Sequence, residues 1–342
     1  MKIALITDAW FPQVNGVVRT LKKTTEILER WGHEVLCINP SSFKTFPLPT
    51  YPDIRLPIAP GRKLRAMLDE FGADAYHIAT EGTLGWAARS YCLKRKLDYT
   101  TAYHTRFPEY VRLRAPVPLS WSYAFMHRFH DPAVRTMVAT DSMREELEEW
   151  DFKHIVKWSR GVDIERFRPL DDDEKLIRSD EPIFMYIGRV AVEKNIEAFL
   201  KLDLPGRKYV VGGGPALDKL KASYPDVVFT GYKENGELAR HVASADVMVF
   251  PSLTDTFGLV MLEAMATGAP VAAFPVAGPK DVIENGVNGY LDEDLRAAAL
   301  KALDLDRAAC RKFAEGYSWE ACTQQFLDNL SPHPESGQRA AS

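Results

Sequence analysis

Apolar residues along the chain come in short runs, and the runs alternate between two periods. Lys2 to Thr7 is a compact apolar run and predicts a strand. A loop with Pro12, Asn15 and Gly16 follows, then a helical pattern to about Arg30, and "HEVLCINP" returns as a strand. "AYHIA", a helix around Trp86 to Lys96, "DYTTAYHT" and "TMVATDSM" continue the alternation. "FKTFPLPTYPDIRLPIAPGR" is rich in proline and reads as loop. "DIERFRPLDDDEKLIRSDEP" breaks the pattern with polar and acidic residues and is the best linker. The alternation then restarts with "PIFMYIGRV", "KYVVGGGP", "DVVFTGY", "DVMVFPS" and "PVAAFPV", each followed by a plausible helix. Strands alternating with helices predict parallel sheets covered on both faces. The fold class is therefore α/β, with two doubly wound domains in series. The expected domains are residues 1–168 and 169–316. An amphipathic helix over 317–331, able to pack back on the first domain, and a disordered tail over 332–342 complete the chain. Ligands of such sheets bind at the carboxyl ends of the strands. Two facing domains would make an interdomain cleft.

The 342 residues are 46% hydrophobic, enough for two cores. The first apolar run is too short for a signal peptide, and Asp8 interrupts it. No stretch approaches a spanning helix. These features predict a cytoplasmic protein, soluble or peripheral to a membrane. Cys37, Cys92, Cys310 and Cys322 show no metal or redox spacing and read as reduced fillers. The net charge of −4 hides an asymmetry: residues 1–168 carry 25 basic against 20 acidic residues, and residues 169–342 carry 18 against 27. A basic half suggests a contact with something anionic.

Four stretches carry candidate chemistry. "GGGP", Gly212 to Pro215, follows a strand and opens a helix, where glycines let backbone amides approach a phosphate or simply make a turn. "GRVAVEKN" places Gly188, Arg189 and Lys194 just after a strand, and two cations there suit a diphosphate or are plain surface charges. "PQVNGVVRT" is a glycine loop after the first strand, either an Asn-Gly turn or a backbone that approaches a ligand. In "TDTFGLVMLEAMATGAPVAAF" the run Phe257 to Ala266 carries one charge, Glu263. A buried carboxylate is costly without a partner. Either this helix has one solvated edge, or the partner of Glu263 is a ligand. An acidic residue of this kind can hold a ribose diol. Asp255 then lies beyond the phosphates of a bound nucleotide. The dinucleotide fingerprint and the Walker pattern are both absent, which argues against a nicotinamide dehydrogenase and a P-loop enzyme.

Seven motifs in order, "NGVVRTL", "YHTRFPEY", "SRGVDIERFRP", "GRVAVEKN", "GGGP", "PSLTDTFGLVMLEAMATGAPV" and "ENGVNGYL", resemble the retaining glycosyltransferases of family 4 over nearly the whole chain. The resemblance implies the GT-B fold of two Rossmann-like domains and a nucleotide-diphosphate sugar as co-substrate. It assigns His104, Arg189, Lys194 and Asp255 to catalysis. Arg189 and Lys194 neutralise the diphosphate, Asp255 holds sugar hydroxyls, and His104 lies near the C6 hydroxyl of the donor sugar. It assigns donor binding also to Asn15, Gly16, Gly188, Gly213, Gly214, Phe257, Gly258, Leu259 and Glu263. Asp255 is one methylene shorter than the Glu usual at its position. No metal and no cofactor are expected, because the cations do that work. Attack on the same sugar face, with the leaving phosphate taking the acceptor's proton, accounts for retention.

The first domain is expected to bind the acceptor. Arg89, Lys94, Arg95, Lys96, Arg106, Arg112 and Arg114, with Trp121, Tyr123, Phe125 and Phe129, suit an anionic membrane surface; equally, they could be a solvated face over core aromatics. "YHTRFPEY" also resembles the family's diacylglycerol glycosyltransferases, such as sulfoquinovosyl-diacylglycerol synthases. The expected reaction is hexose transfer from a UDP-sugar to diacylglycerol at the cytoplasmic face of a membrane. The alternative is a GDP-mannose-dependent α-mannosyltransferase acting on a glycan or carrier-linked sugar. A non-catalytic nucleotide-binding module is disfavoured by Asp255, Lys194 and Glu263, and no nucleic acid partner is expected.

Overall fold

A computed structural model gives the structure of the chain and describes residues 1–13, 15–48, 51–113 and 115–332. The expected tail beyond Pro332, and Arg114, lie outside the described residues. The chain divides into two compact units. The first is Met1–Ser159 with a second segment that begins at Trp319, and the other is Arg160–Ser318.

The first unit is built on β1 (Lys2–Ile6), β2 (Glu34–Ile38), β5 (Ala75–Ile78), β6 (Thr100–Ala102), β7 (Arg135–Val138) and β8 (Ile155–Lys157). Their order is β2-β1-β5-β6-β7-β8, and every pairing is parallel. Both faces are covered, so successive residues of β1 enter different cores. Ile3 and Leu5 pack with Leu21, Leu28, Trp158 and Phe326; Ala4 and Ile6 pack with Leu64, Leu68, Leu84 and Ala88. The proline-rich stretch read as loop instead holds a hairpin, β3 (Thr45–Leu48) and β4 (Tyr51–Pro57). It is an isolated two-stranded ribbon, and such edges tolerate prolines that a central ladder would not.

The second unit is built on β9 (Ile183–Ile187), β10 (Arg207–Val211), β11 (Val228–Gly231), β12 (Val247–Phe250), β13 (Val271–Ala273) and β14 (Gly289–Leu291), in the order β11-β10-β9-β12-β13-β14 and all parallel. The expected linker belongs to this unit. Arg311 explains why: its Nη1 donates to the carbonyls of Ile164, Phe167 and Ala266 at 3.1, 2.7 and 2.9 Å. Phe167 and Val162 are buried, and the Val162 amide donates to the Tyr317 carbonyl of the same unit at 3.0 Å. The polar segment is thus pinned to the second unit, and the chain changes units at Ser159, before the boundary read from composition. The final helix, Trp319–Asn329, packs on the first unit's helix Gly16–Arg30, and its Gln325 accepts from the Ser159 amide at 2.8 Å.

His77 on β5 is fully buried between the edges of Trp158 and Phe326. Its Nδ1 donates to Thr100 Oγ1 at 2.9 Å, and that hydroxyl points on to the Tyr76 carbonyl. Burial pushes its pKa down from 6.5 to about 3. The folded value lies below the unfolded one, so the stability this ring contributes is complete above pH 6.5 and declines as pH falls toward 3. At about 1.4 kcal/mol per unit, lowering pH from 7 to 5 removes about 2 kcal/mol. Urea melts of wild type and His77→Gln at both pH values will show it: the variant loses this part of the pH dependence. Equal slopes in the two proteins would refute the assignment.

Candidate functional site

The second sheet reverses direction between β9 and β12. From β9 the chain adds β10 and β11 on one side, then returns to add β12, β13 and β14 on the other. Loops that diverge from two adjacent carboxyl ends leave a crevice, the usual ligand position in an open α/β sheet.

Three hydrogen bonds join the loops there. Lys194 Nζ donates to Asp255 Oδ1 at 2.5 Å, Asn195 Nδ2 to the Pro251 carbonyl at 3.1 Å, and the Thr254 hydroxyl to the Glu193 carbonyl at 3.1 Å. The Lys194 and Asp255 side chains are only 19% and 18% exposed. Asp255 Oδ2 is buried with no hydrogen-bond partner among the described residues, which leaves an acceptor for a ligand hydroxyl. Arg189 leaves the same strand, β9, and its carbonyl accepts from Tyr186 Oη at 2.7 Å. The sequence pattern singles out Lys194, Arg189 and Asp255 but not Asn195 and Thr254, whose braces become visible only once the loops meet.

Helix Leu259–Ala266 opens at the same edge. Its N-cap is Gly258, with φ 86° and no side-chain cap; the Met261 amide turns back to the Gly258 carbonyl at 2.9 Å, which leaves the Leu259 and Val260 amides of the first turn to an anion. A Cβ at Gly258 would stand 2.8 Å from the Phe250 ring. Leu259 starts the helix, and Phe257 is buried with its ring toward Tyr317. Glu263 is 7% exposed, among helix neighbours Met261, Leu262, Ala264 and Met265 that are wholly buried. A solvated helix edge therefore does not explain this carboxylate.

"GGGP" has a packing role in the unit. The ladder between β9 and β10 continues past the strands: the Gly188 amide donates to Val211, and the Val190 amide to Gly213. A Cβ on Gly212 would stand 1.8 Å from the Gly188 carbonyl oxygen, and one on Gly214 2.4 Å from that of Val190. These glycines let two loops of one unit touch. Gly213 is the roomier position, 3.4 Å from its nearest neighbour.

The remaining candidates belong to the first unit. Asn15 caps helix Gly16–Arg30, its Oδ1 accepting from the Val18 amide at 3.0 Å, and Gly16 is exposed. His104 follows β6, with its ring against Trp158. Arg106 is bound by Glu146 and faces Glu109, so its charge is engaged within the unit. Arg89 lies over the Trp86 ring and donates to the Phe129 carbonyl. Lys94, Arg95 and Lys96 are exposed at the end of helix Thr83–Arg95, at the amino edge of the sheet and opposite His104. Arg112 is exposed at the end of helix Phe107–Arg112.

The first unit's own switch point, between β1 and β5, holds a residue that no sequence motif marks. Asp8 is buried and accepts from the Leu84 and Gly85 amides at 2.9 and 3.2 Å, and from Thr80 at 3.1 Å. Burial pushes its carboxyl above the ordinary range, against these hydrogen bonds. The helix N-terminus where an anion would bind in this unit is thus filled by the protein's own carboxylate. Among the described residues no group of three or more His, Cys, Asp or Glu side chains is placed to hold a metal ion.

Residues 14–166 match the model of Glycosyltransferase Family 4, and residues 181–305 match Glycosyl transferases group 1. A GDP-mannose-dependent alpha-mannosyltransferase of Corynebacterium glutamicum is 30% identical, over 97% of this chain and 89% of its own length. Alpha-monoglucosyldiacylglycerol synthase of Streptococcus pneumoniae is 27% identical, over 89% and 78%. Sucrose-phosphate synthase of Thermosynechococcus elongatus shares the fold with a TM-score of 0.76, at 22% identity and full coverage of both chains. Two doubly wound units, each built on a parallel six-stranded sheet, follow the plan of a GT-B glycosyltransferase. The chain belongs to glycosyltransferase family 4, and the protein is a glycosyltransferase.

Proposed function

We propose that the protein transfers a mannosyl group from GDP-mannose to an acceptor hydroxyl, with retention of configuration. The observation that carries the reaction class is the Lys194–Asp255 contact across the switch point, beside the uncapped helix at Gly258. In this reading the donor diphosphate lies against Lys194, Arg189 and the first-turn amides, and Glu263 receives the ribose. Asp255 Oδ2 receives a sugar hydroxyl. The bond from the anomeric carbon to the phosphate oxygen breaks, and the charge gathers on the phosphate, where fixed cations and amides stabilise it most. The acceptor oxygen bonds to the same sugar face, and its proton passes to the leaving phosphate. Cationic side chains thus take the role a metal has in other transferases. The mannosyl donor is supported by the Corynebacterium relative, which aligns over nearly the whole chain.

A second reading, hexose transfer from a UDP-sugar to diacylglycerol, is favoured by the pneumococcal relative. One experiment separates them. The protein is incubated with radiolabelled GDP-mannose, UDP-glucose and UDP-galactose, with diacylglycerol or a mannoside as acceptor, each with and without EDTA. Label transferred only from GDP-mannose, and insensitive to EDTA, is expected. Transfer only from a UDP-sugar to diacylglycerol would replace the first reading with the second, and a divalent requirement would overturn the assigned role of Lys194 and Arg189.

A further inference from the structure

Large apolar side chains are exposed together on two helices of the first unit. Phe107 and Leu113 stand at either end of helix Phe107–Arg112, exposed by 44% and 53%. Trp121 and Phe125, 72% and 42% exposed, lie one turn apart on helix Leu119–His130. They are neighbours in space: the Phe125 ring lies 6.4 Å from Phe107 and 5.3 Å from Trp86. Isolated exposed hydrophobes need no explanation, but a contiguous set does.

The exposed charges on these two helices are basic, and Asp131, just past the second helix, is taken up by His127 Nδ1 at 2.9 Å. Arg112 and Arg128 are exposed, and Arg89 lies over the Trp86 ring. The two helices contain one carboxylate, Glu109, and it is turned inward: it accepts from Tyr123 Oη at 2.8 Å and faces Arg106. The face therefore combines an aromatic tip, which favours the boundary between headgroups and acyl chains, with basic residues that favour anionic headgroups. A protein partner would as readily meet a face of mixed charge, so the basic excess on the two helices favours lipid. No helix among the described residues is long and apolar enough to cross a membrane, so the contact would be peripheral.

We infer that the protein docks on an anionic lipid bilayer through Phe107, Trp121 and Phe125, with Arg112 and Arg128 against the headgroups. Both helices begin at the carboxyl edge of the sheet, the edge that carries His104. The exposed trio Lys94, Arg95 and Lys96 lies at the opposite edge and is not part of this surface. The inference does not rest on which nucleotide sugar is used.

Flotation with vesicles of phosphatidylcholine, with and without phosphatidylglycerol, tests it. Wild type floats only with the anionic vesicles, and added salt releases it, because exposed charges are screened over about 8 Å at physiological ionic strength. Arg112→Glu with Arg128→Glu weakens binding by about thirtyfold or more. Trp121→Ser with Phe125→Ser abolishes it, while changing Lys94, Arg95 and Lys96 to alanine has little effect. Circular dichroism and the melting temperature confirm that the first unit of each variant is folded. Loss of flotation only in the Lys94–Lys96 variant, or no flotation of the wild type, overturns the inference. So does concentration-dependent dimerisation that Trp121→Ser removes, which would assign the face to a second copy. Transfer to a soluble acceptor is measured in parallel, so that failure here is separable from failure of the proposed reaction.

Discussion

Replacing Lys194 by alanine is expected to lower kcat by about 10²-fold or more while leaving the fold in place. The switch point holds Lys194 in place: its ammonium is fixed at 2.5 Å from Asp255, and Asn195 and Thr254 brace the loops on either side. A charge already oriented where the leaving phosphate gains charge lowers the barrier without reorganisation at the moment of reaction. Both side chains lie outside the hydrophobic clusters, so circular dichroism should move little, while the melting temperature falls because the shielded Asp255 carboxylate loses its partner. Asp255→Asn separates the two roles. It keeps the ammonium and removes its partner, so it should damage sugar binding more than nucleotide binding. Steady-state kinetics with nucleotide titration of both variants is the measurement, and near-normal turnover in Lys194→Ala would refute the assignment.

Gly212→Ala is expected to do its damage through the fold. The new Cβ would stand 1.8 Å from the Gly188 carbonyl oxygen, at a backbone φ of 152° that L side chains rarely adopt. Both colliding groups are backbone, so no rotamer change relieves the overlap. The loop that carries Arg189 and Lys194 must move away from β10, breaking the hydrogen bond from Gly188 to Val211. A loss of about 3 kcal/mol or more is expected, together with loss of nucleotide binding. Gly236→Ala is the control. Gly236 lies in helix Asn235–Ala243 with nothing within 4 Å of the added methyl, so the variant should be as stable as wild type or slightly more so. Chemical denaturation of both variants decides it; a Gly212→Ala protein as stable as the control would show that the loops are not held together as described.

Much of the site is legible in the order of the residues alone. Apolar runs such as "IFMYI" and "VMVF" are strands buried on both faces, and a parallel sheet has no other way to hide them. The segments after them have to carry the chemistry, which is how Arg189, Lys194, Asp255 and Glu263 stand out. Weak local signals fail. β8 and β14 are short strands without a flanking apolar run, and the prolines Pro47 and Pro57 hide a hairpin.

By itself the sequence determined the class of fold, the repetition of that fold in two units, and the residue types at the crevice, because burial and periodicity are local properties. Only tertiary structure decided what each residue faces. Glu263 and Lys194 could each be surface charges until packing shields both. "GGGP" shows no packing role until Gly188 comes to lie against Gly212. Asp8 looks like an interruption until a helix seventy-odd residues later presents its amides to it. The basic residues of the first unit look like one cluster until the helix direction sends Lys94 to Lys96 to one edge of the sheet and the aromatic face to the other. Each outcome depends on residues far apart in the chain meeting through the sheet, and no local pattern encodes that meeting.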